Sequence, residues 1–199
     1  MAEPARPGEY EVVSSETVYE GRVITLVKDT VAMPEGGESV REVVHHPGAV
    51  AVVALDDDDN VVLLRQYRHP VGGYLWELPA GLRDADGEPP LETAKRELAE
   101  EVQLAAERWS LLSSYFSSPG FCDEAVLIYL AEGLSDVDRP DGFTVEHEEL
   151  DMEVQRVPLA QAVQRVFAGE TRNAAAVIGL LAAAQARAAA PALRPVEAT

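Results

Sequence analysis

Two apolar runs split by five polar residues constrain this chain most: GAVAVVAL over 48–55, DDDDN over 56–60 and VVLLRQYR over 61–68. A strand with one wet face alternates polar and apolar side chains, whereas these runs are nearly continuous in Val, Leu and Ala. Strands of that kind need cover on both faces. We therefore expect a hairpin near the middle of a sheet, with the acidic stretch as its turn.

The remaining text supplies what could surround it. YEVVSSETVYEGRVITLVKDTVAM (10–33) is rich in Val, Thr, Ile and Tyr and is punctuated by Gly21 and by PEGGE (34–38), so it predicts two or three strands of a meander, continued by SVREVVHH (39–46). YLWELPAG (74–81), RWSLLSSYFSSPG (108–120), EAVLIYLAEGL (124–134) and DMEVQRVPL (151–159) predict further strands. LAQAVQRVFAG (159–169) and NAAAVIGLLAAAQARAAA (173–190) predict two helices, the first stopped by Gly169 and the second capped by Asn173. The early residues MAEPARPGE are expected to form a flexible arm over 1–9, and residues 191–199 a frayed tail.

Acidic residues outnumber basic ones 35 to 16, a formal net charge of −19. Such a surface repels phosphate backbones and anionic headgroups, which argues against nucleic acid and membrane as partners. The single cysteine, Cys122, has no second thiol for an internal disulfide. With no apolar run near the roughly 18 residues of a spanning helix and no secretory leader, the expected location is the cytoplasm.

GLRDADGEPPLETAKRELAEEVQL (81–104) carries the chemistry. Pro89 and Pro90 suit a helix start, and Leu91, Ala94, Leu98 and Val102 recur at helical spacing. Glu97 and Glu101 then stand about 40° apart on the helix wheel, with Glu100 extending the same sector. Like charges four apart destabilise a helix by roughly 0.2–0.5 kcal/mol per pair. A divalent cation offsets that cost, and Mg²⁺ favours a few carboxylate oxygens while keeping waters that leave room for a phosphate. Arg96 is suited to orient one glutamate through a bidentate bond. The alternative is a solvated acidic face without a ligand.

This segment resembles the signature box of Nudix hydrolases, in which a glycine and a glutamate precede an Arg-Glu-apolar-any-Glu-Glu run. Gly81, Glu88, Arg96, Glu97, Leu98, Glu100, Glu101 and Leu104 stand at those places. Two departures occur: the gap from Gly81 to Glu88 is one residue longer than the common form, and Gln103 replaces the usual glycine. Gln103 would thus sit at a helix end that often requires positive φ. The resemblance implies Glu97 and Glu101 as chief metal ligands, Glu100 and the backbone carbonyl of Ala80 as further ligands, and Mg²⁺, or Mn²⁺, as cofactor. It also implies an α+β fold: a Nudix-type α/β/α sandwich with a mixed sheet over 47–190, preceded by a small antiparallel β domain over 10–46.

Pro119, sixteen residues beyond Gln103 in SSPGFCDE, together with ELPAG and RNAAAV, is similar to the ADP-ribose pyrophosphatase subfamily. That resemblance implies hydrolysis of ADP-ribose to AMP and ribose 5-phosphate. Metal ions would neutralise the diphosphate and lower the pKa of a water, and Glu148 would assist that water, with Glu149 the alternative base and His147 a bystander. Arg96 and Glu97 join Glu148 as catalytic residues. Arg41 and Arg68 would meet the substrate's phosphates or neighbouring groups, and Glu124 the ribose side or a metal; surface roles are the alternative for all three. The N-terminal strands would be exchanged across a homodimer, with Tyr19 a sheet-face residue. His45 and His46 lack zinc spacing. A nucleotide-sugar pyrophosphatase, a non-catalytic ADP-ribose sensor and an acidic interaction protein are the competing readings.

Overall fold

A computed structural model describes residues 9–85, 87–139, 152–189, 193, 194 and 196. The chain divides into two compact units, Met1–Gly48 with Phe116–Ala125, and Ala49–Tyr115 with Val126–Thr199.

The first unit is an antiparallel sheet of three strands in chain order: β1 (Val12–Glu20), β2 (Thr25–Ala32) and β3 (Glu38–His45). Gly36 and Gly37 turn β2 into β3 with φ of 90° and 85°, a region closed to the β-branched residues around them. Phe116–Ala125 joins the end of β3 through backbone bonds, from Val44 N–H to the Phe121 carbonyl at 2.7 Å and from Asp123 N–H to the Val44 carbonyl at 3.2 Å. Every residue of β1 is exposed, Val12, Val13, Val18 and Tyr19 among them.

The second unit is built on a seven-stranded mixed sheet. Its path runs β10 (Glu153–Pro158), β5 (Asn60–Arg68), β4 (Ala49–Leu55), β9 (Ala125–Asp136), β8 (Leu104–Phe116), with β6 (Gly73–Glu77) paired to β5 and β7 (Ala80–Leu82) paired to β4. β4 and β9 are parallel; β4 and β5, β5 and β6, β4 and β7, and β5 and β10 are antiparallel. The expected hairpin is central, but its strands pair only beside the turn, at Leu55 and Val61. Beyond that point β6 takes the edge of β5 and β7 takes the edge of β4, and the Pro79 carbonyl between them accepts Val52 N–H at 2.8 Å. Residues 73–82 therefore fill the middle of the sheet. The turn itself is pinned by Asp56, whose Oδ1 accepts the N–H groups of Asp58 and Asn60.

The pleat divides the core. Ala51, Val53 and Leu55 of β4 face one cluster, which α2 (Leu159–Phe167) and α3 (Ala174–Ala189) complete with Leu159, Ala162, Ala176, Leu180 and Ala183. Val50, Val52 and Ala54 face the other, completed by Ala94 and Leu98 of α1 (Pro90–Val102). Helices thus cover both faces, giving the α/β/α sandwich with a mixed sheet and a small N-terminal antiparallel sheet. α3 comes close because position 179 is glycine: a β-carbon there would stand 2.7 Å from Leu78 Cδ1 and 2.9 Å from Val53 Cγ2. Asn173 Oδ1 caps α3 by accepting Ala176 N–H at 3.0 Å. Gly169, just past α2, has φ of 74°. Among the described residues no helix is long and apolar enough to cross a membrane.

Candidate active site on the acidic helix

α1 begins at Pro90, where a missing N–H leaves no hydrogen bond unmade, and ends at Gln103 with φ 55° and ψ 43°. The left-handed conformation expected of a glycine there is thus adopted by a residue with a side chain. Gln103 N–H closes on the Ala99 carbonyl at 3.1 Å, and its own carbonyl accepts Val137 N–H at 3.0 Å.

The apolar stripe on Ala94 and Leu98 presses α1 to the sheet, which carries the flanking glutamates inward against β7. Glu101 is buried, and its Oε2 accepts Ala80 N–H at 2.9 Å. Glu97 lies so close to Gly81 that a β-carbon at position 81 would overlap its carboxylate. That contact explains the glycine at position 81.

Arg96 binds three carboxylates. Nη1 donates to Glu97 Oε1 and to Glu100 Oε2, each at 2.8 Å, while Nε and Nη2 reach the two oxygens of Glu88 at 3.3 Å. Thr93 Oγ1 adds a bond to Glu88 at 2.9 Å. Arg96's own hydrogen bond, assisted by Thr93 and outweighing burial, holds the Glu88 carboxyl below its usual range. Burial works against the Arg96 charge, but Glu88, Glu97 and Glu100 outweigh it, so the guanidinium is held firmly cationic. Glu97 moves the other way. Burial first, then the charges of Glu100 and Asp84, push it up to about 7 despite Arg96 beside it.

Among the described residues no three His, Cys, Asp or Glu side chains converge as a cation cage, because Arg96 and the Ala80 N–H hold the glutamates in their present directions. The donor set nevertheless suits a hard divalent ion: carboxylate oxygens and a peptide carbonyl. Nη1 of Arg96 engages one oxygen of Glu97 and one of Glu100, so each carboxylate has a second oxygen for a cation. Room for the Glu97 carboxylate at Gly81, and its incompletely offset charge, fit the same ion.

Ala80, Arg96, Glu97, Glu100, Glu101 and Arg68 belong to the second unit. Arg68, at the end of β5, forks onto Glu77 of β6, Nε to Oε1 at 2.9 Å and Nη2 to Oε2 at 2.7 Å. Glu77 was not among the site residues expected from the sequence. Its signal was a charge inside an otherwise apolar strand, YLWELPAG.

Arg41 and Glu124 lie in the first unit. Arg41 donates to Ser39 Oγ and to the Val40 carbonyl on its own strand, β3. Glu124 Oε1 stands 3.7 Å from His46 Nδ1, which also accepts Gly48 N–H. His45 pairs with Asp123 at 2.6 Å. Burial would raise Asp123, but the bonds from His45 and from His46 N–H prevail and hold it low. Glu148, Glu149 and His147 lie outside the described residues.

Trp76 packs with the α2 and α3 cluster, and beside it a groove of about 530 Å³ is lined by Gln155, Gln164 and Arg165. That groove is on the face of the sheet opposite α1.

Residues 45–177 match the NUDIX domain, and residues 10–44 match the nucleoside diphosphate sugar hydrolase N-terminal domain. The chain is 51% identical to an ADP-ribose pyrophosphatase of Mycobacterium tuberculosis over 87% of its own length and 83% of that protein's. It is 38% identical to an ADP-ribose pyrophosphatase of Bacillus subtilis, covering 83% and 88% respectively. A solved structure titled "Crystal structure of ADP compounds hydrolase" shares the fold at a TM-score of 0.76 and 24% identity, over 92% of this chain and 96% of that one. The box on α1, the mixed sheet that carries it and the match over 45–177 agree: this chain belongs to the Nudix family.

Proposed function

We propose that the chain is a divalent-metal-dependent hydrolase that cleaves the pyrophosphate of ADP-ribose to AMP and ribose 5-phosphate. The position of Glu97 carries this reading: a carboxylate pressed on the Gly81 backbone, crowded by Glu100, with a charge that Arg96 offsets only in part. The relatives named ADP-ribose pyrophosphatase support the substrate.

Mg²⁺, or Mn²⁺, held by Glu97, Glu100, Glu101 and the Ala80 carbonyl would supply charge neutralisation of the diphosphate and a more acidic water. The protein's own groups do the rest. Ala80 N–H fixes Glu101, and Arg96 fixes Glu97 and Glu100 against Glu88. Arg68 and Arg41 meet the phosphates or neighbouring groups, Glu124 the ribose side. Glu148, or Glu149, takes the proton of the attacking water. Exposed Val12, Val13, Val18 and Tyr19 on β1 support a homodimer built through exchanged N-terminal strands. The reaction is assigned to the cytoplasm.

A second reading, a nucleotide-sugar pyrophosphatase, is favoured by the match of residues 10–44. Purified protein incubated with ADP-ribose, ADP-glucose and GDP-mannose, each with Mg²⁺ or Mn²⁺, separates the two by product chromatography. AMP from ADP-ribose alone supports the first reading, and turnover of the sugar nucleotides supports the second. Silence on all three would leave a non-catalytic ADP-ribose-binding module.

A further inference from the structure

Arg83 is half-buried and follows β7 directly. Its Nε is shut away from solvent and, among the described residues, has no hydrogen-bond partner, although Asp84 stands next to it in a chain with 35 acidic residues. Arg96, Arg156 and Arg187, by contrast, are each bound to carboxylates. A charged donor kept from water without an acceptor costs the fold free energy, and the great majority of buried donors are paired. An unmet guanidinium donor in an acidic protein therefore points to an anion that arrives from outside.

The backbone places Arg83 beside the acidic helix. Gly81 pairs with Val50 of β4, whose side chain lies in the cluster under α1, and Leu82 pairs with Ala49, which packs on the opposite cluster. Alternation returns the next side chain, Arg83, to the α1 face. The residues on either side agree: Gly81 lies against the Glu97 carboxylate, and Asp84 is among the charges that act on Glu97. Two residues of chain span at most about 7 Å, so Arg83 leaves the backbone within that distance of Gly81. Nε, Nη1 and Nη2 of Arg96 are bonded to Glu88, Glu97 and Glu100. Arg83 brings the same chemistry to this face with a donor still to be matched.

We propose that Arg83 is a substrate-binding residue whose guanidinium donates to an oxygen of the diphosphate held beside α1. This rests on the reading of the chain as an ADP-ribose pyrophosphatase. A fork of N–H donors matches the spacing of phosphate oxygens, and a donor already out of water gives up no hydration when the anion arrives. The diphosphate is charged before the reaction begins, so the contact serves binding rather than the chemical step.

The test is steady-state kinetics with ADP-ribose and Mg²⁺ on wild type, Arg83→Met, Arg83→Lys and Lys95→Met, with a thermal melt of each. Arg83→Met keeps the apolar stem and removes the donors. Its KM should rise about tenfold with kcat within about threefold, the effect of losing one charge-assisted bond to the substrate. Its Tm should hold or rise, because the unmet donor is gone. Arg83→Lys keeps the charge without the fork, and its KM should lie between the two. Lys95, exposed on α1 and paired with Glu92, is the control for loss of one positive charge, and Lys95→Met should leave KM within about twofold. An unchanged KM in folded Arg83→Met would overturn the proposal, as would an equal rise in Lys95→Met, which reduces Arg83 to general charge. If Arg83→Met fails to fold, Arg83→Lys carries the test, and a wild-type KM there overturns the proposal. A wild type silent on ADP-ribose removes the underlying reading and the proposal with it, a result set apart by the silence of every variant.

Discussion

The carboxylate of Glu97 occupies the space that a β-carbon on residue 81 would need, so the strand residue and the helix residue are mutually determined. Gly81→Ala forces Glu97 to rotate or α1 to lift. A displacement near 1 Å costs a well-aligned site about 100-fold, so kcat/KM for ADP-ribose should fall by about that factor. Steady-state assays with the folded variant check this, and an undiminished rate would show that the placement of Glu97 is immaterial.

Glu97 also sets a pH dependence. Its carboxyl is raised from 4.5 to about 7 in the folded chain, so between those values the native state binds more protons than the unfolded one. Its contribution to stability is full below about pH 4.5 and is lost as pH rises through about 7. Metal-free wild type should therefore lose Tm between about pH 5 and 8 relative to Glu97→Gln, and added Mg²⁺ should raise the wild-type Tm more at the upper end. Parallel Tm profiles for the two proteins would contradict this.

Gln103 is held at φ 55° at the end of α1. Replacing it with glycine removes the Cβ strain of the left-handed region, and we expect a gain of about 1 kcal/mol. Urea unfolding should show a higher midpoint with an unchanged m-value.

Gly179 on α3 faces Leu78 Cδ1 and Val53 Cγ2, with no room for a methyl group. Gly179→Ala should destabilise the second unit by about 1–3 kcal/mol, the usual range for an overpacked core, although alanine is the better helix former. Chemical denaturation measures the loss, and a stabilised variant would mean that α3 moves freely against β4.

The central runs, the acidic helix and the ends of α1, α2 and α3 were legible from residue order alone. Each rests on a local cause: side-chain alternation, 3.6-residue spacing, the missing N–H of Pro90, the Asn173 cap and the φ of Gly169. Helical spacing alone sets Glu97, Glu100 and Glu101 on one side of α1, and that much was legible too; the directions of their carboxylates were not, since Arg96 and the Ala80 N–H set them.

Other features came only from the folded chain. Residues 73–82 wedge between β4 and β5, Phe116–Ala125 joins β3, Glu77 grips Arg68, and Ala80 meets Glu101. These depend on which strand fills which open edge, and on partners as far apart as Ala80 and Glu101. Edge hydrogen bonds are chemically alike along every strand, so local pattern does not choose among them. Burial of both faces of the sheet makes that choice, and with it the surroundings of the glutamates.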